Sequence, residues 1–439
     1  MREMKESGVT WVGKIPAAWE MKTIKQLMIE RVEKNKELEV NTILSLSAKD
    51  GVTLYNSENH SGNKPREDLS DYKIVRENDI VVNSMNILSG SVGLSAYTGV
   101  VSPVYYIYYP RDDGNVEYFH YIFQCFEFQR SLRGLGNGIL IKETESGGLN
   151  TIRMRIPSQK LGAQEFPYCS RKEQDRIVAA LEASAKKVDA LIANQEAQIV
   201  KLKAYKQSLI TEVVTKGLNP NVPMKSSGVE AIGSIPQHWK IYRTKFVADA
   251  IFKGNGITKD EVVEDGDIQC IRYGEIYSKY DGSFEKTYSR TNESAITSPQ
   301  YISSGDILFA GTGELVEEIG KNVVYTGKEP CLAGGDIIVL KHSQNPIFLN
   351  YALYCTSSQT QKSKGKAKLK VVHISASEIG NVIIALPPLD EQNAIAEYLD
   401  KKCEHISRLI EIKKKKIESL TQYKKSLIYE YVTGKKEVM

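Results

Sequence analysis

Apolar residues recur at steps of three and four through residues 173–215, where Ile177, Leu181, Ile192, Ile199, Leu202 and Leu209 share one stripe. That spacing is the period of an amphipathic helix. The stripe returns at a constant offset of 218 residues, as Ile395, Leu399, Ile410, Ile417, Leu420 and Leu427. Sixteen of forty-three positions are identical between residues 173–215 and 391–433, Leu191 with Leu409 among them, where composition alone gives about two or three. The two stretches are copies.

Neither copy contains Gly or Pro, and Ala, Leu, Lys, Gln and Glu fill the other positions. Each therefore predicts one unbroken helix, about 43 residues or roughly 65 Å long. A lone helix of that length leaves its stripe in water, so the two are expected to pair through Leu181, Ile192, Ile199, Leu202 and Leu209 on one and Leu399, Ile410, Ile417, Leu420 and Leu427 on the other. An antiparallel arrangement follows from a connection that passes through a whole globular region. Gln195 and Lys413 interrupt the stripe at matching places. Polar seam residues can fix register, and a solvated face at that level is the alternative.

Residues 4–19 read MKESGVTWVGKIPAAW and residues 224–239 read MKSSGVEAIGSIPQHW, nine matches in sixteen at an offset of 220. The whole chain is thus a tandem repeat of short segment, globular region and long helix. The segments are 1–170, 171–217, 218–388 and 389–439. Trp19 and Trp239 read as core anchors. Between the repeated ends the copies diverge, with landmarks surviving in order: Asp79-Ile80 with Asp306-Ile307, Tyr97-Thr98-Gly99 with Tyr325-Thr326-Gly327, and Tyr121, Cys125 and Gln129 with Tyr351, Cys355 and Gln359. Short β-rich runs at 80–82, 104–109, 307–309 and 336–340 alternate with Gly, Asn and Ser turns, and 116–129 predicts a helix. Each globular region is expected to be mixed α and β with several antiparallel strands, an α+β chain with two long helices and pseudo-twofold symmetry. The symmetry predicts that the globular regions lie at opposite ends of a rod and that the two chain termini meet.

Each copy then enters a cationic loop. The first carries Arg130, Arg133 and Asn137 with Lys142 following; the second carries Lys362, Lys364, Lys366, Lys368 and Lys370 around Gly365. Flexible lysines among small residues can reach phosphates without reading sequence, or can be plain solvated surface. With a net charge of only +4, any nucleic-acid surface must be a local patch. Tyrosines number 24 against 10 phenylalanines, and of the group Tyr105, Tyr106, Tyr108 and Tyr109 a strand would bury about half.

Other chemistry is missing from the sequence. No phosphate-cradling Gly-x-x-x-x-Gly-Lys-Ser/Thr occurs, the run at 254–259 lacks its spacing, and the only Pro-Pro, Pro387-Pro388, has no Asn or Asp before it to form an amino-methyltransferase motif. There is no Gly-x-Ser-x-Gly. The six cysteines are scattered without a CxxC, so neither a disulfide framework nor a zinc site is expected. No catalytic or metal-ligating residue is assigned, no cofactor is expected on this chain, and it is expected to act by binding. No run approaches 18 apolar residues and no charged-then-apolar leader opens the chain, which predicts a cytoplasmic protein with no membrane partner. Two heads on a rod of roughly 65 Å could read DNA half-sites about two helical turns apart. The alternative is a coiled-coil scaffold whose two heads bind proteins or small ligands.

The order of motifs resembles the specificity subunit of type I restriction-modification systems. It runs Ser-Gly-Val, then Gly-x-Ile-Pro-x-x-Trp (Gly13, Ile15, Pro16, Trp19; Gly233, Ile235, Pro236, Trp239), a variable region, and Glu-Gln at the start of a long helix (Glu173-Gln174; Glu391-Gln392), all of it twice. Residues 386–392 are similar to the family's usual start of that helix. The first copy departs from it, because Tyr168-Cys169-Ser170-Arg171-Lys172 carries no Pro pair, which implies a differently built joint. The resemblance covers nearly the whole chain. It implies two target recognition domains, each reading half of a split, asymmetric sequence in double-stranded DNA, with the helices setting the unread gap. It implies a non-catalytic chain on which two modification subunits dock with S-adenosylmethionine to methylate adenine. Two restriction subunits would add ATP- and Mg-dependent translocation and cleavage.

Overall fold

The computed structural model describes residues 2–56, 64–136, 155–257, 260–313, 315–366 and 372–438, and the backbone alone of residues 141–143 and 149–151. Two compact units emerge, Met1–Gln195 with Lys415–Met439, and Glu196–Lys414. They cut across the sequence segments. The long helices are Arg171–Lys216 and Leu389–Val432, of 46 and 44 residues, and each unit takes one stretch of each.

Within the second unit, Lys206 Nζ donates to Ser407 Oγ at 3.1 Å and Lys413 Nζ donates to Gln198 Oε1. One set of numbers rises as the other falls, so these stretches are antiparallel. Within the first unit, Lys424 Nζ reaches both carboxylate oxygens of Asp189 at 2.8 Å. There Leu181, Val188 and Leu427 are buried in one core, with Ile192 and Leu420 packed against it. In the second unit Leu399 and Cys403 are buried and Leu209 packs beside them; Ile410 is buried, while Ile199 and Leu202, and Ile417 of the first unit, are half-buried. Leu191, identical to Leu409 in the other copy, is 46% exposed. Its neighbour Ile192 takes the inward position, about 100° away round the helix.

The repeated Glu-Gln pairs start the helices by tying them to the domain below. Trp19 and Trp239, both fully buried, donate Nε1–H to Glu173 Oε2 at 2.9 Å and Glu391 Oε2 at 3.0 Å. Gln174 Oε1 accepts from the Asn115 amide at 2.8 Å and its Nε2 donates to the Cys169 carbonyl at 2.9 Å. Gln392 repeats this with the Asn345 amide at 3.1 Å and the Pro387 carbonyl at 2.9 Å. The missing Pro pair therefore leaves the joint's hydrogen bonding unchanged, because a backbone carbonyl is the acceptor in both copies.

Each unit carries an antiparallel core sheet. In the first the order is Met28–Glu30, Tyr105–Pro110, Ile80–Asn83, Val92–Leu94. In the second it is Ala248–Lys253, Ile337–His342, Ile307–Ala310, Asn322–Tyr325, with Ser283–Phe284 added in parallel at the edge. Registers coincide: Ile80 faces Tyr108 and Leu94, and Ile307 faces Leu340 and Val324. The landmark aspartates close the same turn, each Oδ2 accepting an amide three residues back, Arg76 or Ser303, at 2.8 Å. Ser95 and Tyr325 then donate their amides to the Asp79 and Asp306 carbonyls, so Tyr325 corresponds to Ser95. The Tyr97 match expected from the sequence is two residues out of register. Tyr106 and Tyr108 are buried while Tyr105 and Tyr109 are half-buried, as strand alternation requires.

The helix expected over 116–129 is two, Val116–Gln124 and Phe126–Ser131, broken where Cys125 adopts an extended backbone. The second unit breaks at Cys355 between Pro346–Tyr354 and Thr356–Ser363. After the long helices, Gly217 and Gly434 take φ of +77° and +68°, and a Cβ on Gly434 would lie 2.6 Å from the Pro16 ring and 3.0 Å from Trp19. Gly434→Ala is expected to destabilise the first unit by about 1–2 kcal/mol from backbone strain alone, plus the clash. Gly217→Ala meets its nearest atom, on Trp239, at 3.2 Å, and should cost the second unit less in urea unfolding.

Candidate nucleic-acid interface

In both units the chain leaves the broken helix pair towards the region where the cationic loops were expected. Arg130 is exposed, with its guanidinium 5.5 Å from the Phe126 ring. Lys425, on the long helix, approaches that ring at 4.8 Å, a cation the loop-based reading missed although it follows Lys424 in the sequence. Arg133 is half-buried. Asn137, Lys368 and Lys370 lie outside the described residues, and Lys142 is placed only as backbone in the strand Ile141–Glu143, which pairs with Leu149–Thr151.

The second loop differs from its expectation at two lysines. Lys362 is 2% exposed, inside the helix Thr356–Ser363, and donates to the Gly320 carbonyl at 2.8 Å and to Asn322 Oδ1 at 3.4 Å. Burial pushes its ammonium down to about 7, so Lys362 is a core group and not a phosphate contact. Lys366 is also engaged: its side chain is 13% exposed, pairs with Glu378 at 2.6 Å and donates to the His373 carbonyl. Lys364 is exposed, and Gly365 turns the chain at φ +78°. Among the described cations of this loop, Lys364 is the one left open to solvent.

Beside the loop lies a two-residue ribbon, Thr312–Gly313 against Val372–His373. His373 is exposed and its Nδ1 shares a hydrogen bond of 3.0 Å with Thr312 Oγ1. Sequence reasoning passed over this pair, since a lone His and a lone Thr 61 residues apart carry no spacing signal.

The six cysteines are free and buried, and burial pushes Cys169 and Cys270 up to about 12, away from the thiolate a nucleophile needs. Among the described residues no three His, Cys, Asp or Glu side chains are grouped to hold a metal ion. No described helix is long and apolar enough to cross a membrane.

Residues 236–422 match the type I restriction modification DNA specificity domain. The specificity subunit of the type I restriction enzyme MjaVIII of Methanocaldococcus jannaschii is 28% identical over 277 residues, covering 62% of each chain. The specificity subunit of a second, putative type I enzyme of that organism, MjaX, is 27% identical over 218 residues, 46% of this chain and 47% of its own. The matches thus span between about half and three-fifths of these relatives. A chain in a solved type I R-M system, studied for complex assembly and conformational transition, is similar in fold with a TM-score of 0.67 at 14% identity, over 95% of this chain and 98% of that one. Residues 236–422 thus carry the match to a type I restriction modification DNA specificity domain, and the chain is similar to the specificity subunits of type I restriction enzymes.

Proposed function

We propose that this chain selects the DNA target of a type I restriction-modification complex, each unit reading one half of a split, asymmetric sequence. The observation that carries the reading is one backbone frame built twice with different exposed side chains: matched registers, matched turns and matched helix starts under diverged surfaces. Double-stranded DNA is the ligand. Catalysis belongs to partners: two modification subunits using S-adenosylmethionine to methylate adenine, and two restriction subunits using ATP and Mg. The two long helices set the gap between the half-sites and carry the modification subunits.

The purified complex is expected to protect a split sequence, and Lys364→Glu to weaken binding to every duplex alike while lowering the salt slope by about one phosphate contact. An unchanged slope would remove Lys364 from the interface. Inserting four residues at Gln195 lengthens one helix by about 6 Å, near two base pairs of axial distance. Protection at an unaltered gap length would contradict the spacing role.

A further inference from the structure

The shared frame locates where the two units differ next to the DNA-facing loops. In the first unit the chain leaves the strand Ile80–Asn83 and the Ile156 amide donates to the Ser84 carbonyl at 3.0 Å. In the second it leaves Ile307–Ala310 and the Ile374 amide donates to the Gly311 carbonyl at 2.9 Å. The bond is the same bond in the same place. Ile156 and Ile374, at 0% and 6% exposure, lock it into their units. The flanking residues then correspond, Met85 with Thr312 and Arg155 with His373, and none of the four is buried. A fixed backbone carrying different surface side chains is what two readers of different sequences require.

We propose that these two pairs are base-reading positions, Met85 and Arg155 for one half-site and Thr312 and His373 for the other; this rests on the function proposed above. The chemistry fits the major groove. A guanidinium fork matches the O6 and N7 acceptors of guanine, and a thioether methyl suits the thymine methyl group. In the second pair the Thr312 hydrogen bond fixes the imidazole and leaves Nε2, which has no partner among the described residues, to donate or accept at a base edge. Lys366 braces the ribbon from behind through the His373 carbonyl and Glu378.

The test uses the complex with its modification subunit in a host without methylation of its own, read by single-molecule methylome sequencing. Three forms are compared: unaltered, Arg155→Ala, and Thr312→Ala with His373→Ala. Arg155→Ala is expected to relax one base position in one half of the motif, and the double variant one position in the other half. Discrimination at the relaxed position should fall about tenfold or more. If a variant methylates too weakly to score, the affinities of its purified complex for cognate and base-substituted duplexes decide. A motif or affinity ratio that stays unchanged while methylation or binding falls uniformly marks phosphate contacts and overturns the assignment; so does a change in both halves from one variant. Absence of any split motif from the unaltered complex would instead overturn the underlying function, and the pairs with it.

Discussion

Trp239→Ala is expected to unfold the second unit at a markedly lower temperature and to leave the first in place. The indole is fully buried in a core with Ile210, Val213, Ile235, Phe348, Ile395 and Leu399. That core joins the end of the first long helix, the repeated short segment and the start of the second long helix. Truncating a buried aromatic costs about 3–5 kcal/mol, a large share of the 5–15 kcal/mol that usually holds a domain together. The Nε1–H bond to Glu391 goes too, leaving that carboxylate with His238 as its remaining partner among the described residues. Trp239→Phe separates the terms: it keeps most of the packing and loses the hydrogen bond, worth about 1 kcal/mol net. Calorimetry of the two variants should show one displaced transition, much further for Ala than for Phe. Equal displacements would mean that the hydrogen bond, and not the packing, holds the joint. Trp19→Ala should act likewise on the first unit, where Trp19 is 1% exposed.

Lys362→Met is expected to stabilise the second unit at neutral pH and to flatten its response to alkali. The side chain sits within 5.9 Å of the Phe309 ring, with the Gly320 carbonyl and Asn322 amide oxygen as acceptors and no carboxylate bonded to it among the described residues. In the unfolded chain the group titrates near its ordinary 10.5; in the folded unit burial brings it down to about 7. Between those values the unfolded state binds more protons, so stability rises with pH through that window. Above 10.5 the amine is neutral in both states and the penalty vanishes; below 7 it is charged in both and the penalty is complete. A shift of that size corresponds to a penalty on the order of 5 kcal/mol. Urea midpoints of the native and Lys362→Met chains at pH 7 and pH 9.5 give the difference directly. The gap between the two should close as pH rises; a gap that does not change with pH would mean that Lys362 keeps its charge by another route.

The long helices were legible because a stripe at helical spacing, stated twice, leaves few alternatives. Of the expected seam positions, Leu181, Leu399 and Leu427 are buried to 2% exposure or less. Leu191 and Ile192 are both repeated in the second copy, and of the two only Ile192 packs inward. Gln195 is 7% exposed, and Lys413 reaches Gln198, so the polar interruption belongs to the seam and not to a solvated face. The compact units were illegible, because the first is stitched from two stretches over 200 residues apart in the chain and the boundary of each falls inside a long helix. At the interface the sequence offered only charge, and charge does not say where a side chain goes. Lys362 and Lys364 stand two residues apart, one in the core and one in solvent. The Thr312–His373 pair depends on a strand register that no local pattern encodes.

The central claim, that one chain reads two half-sites at a set spacing, is tested most directly by single-molecule methylome sequencing of a methylation-free host expressing this chain with its modification subunit. The account predicts N6-methyladenine in a single split motif with a fixed gap and different halves. An assembled complex that leaves the genome unmethylated, or that marks a continuous motif, would contradict it and turn attention to a scaffold whose two units bind something other than DNA.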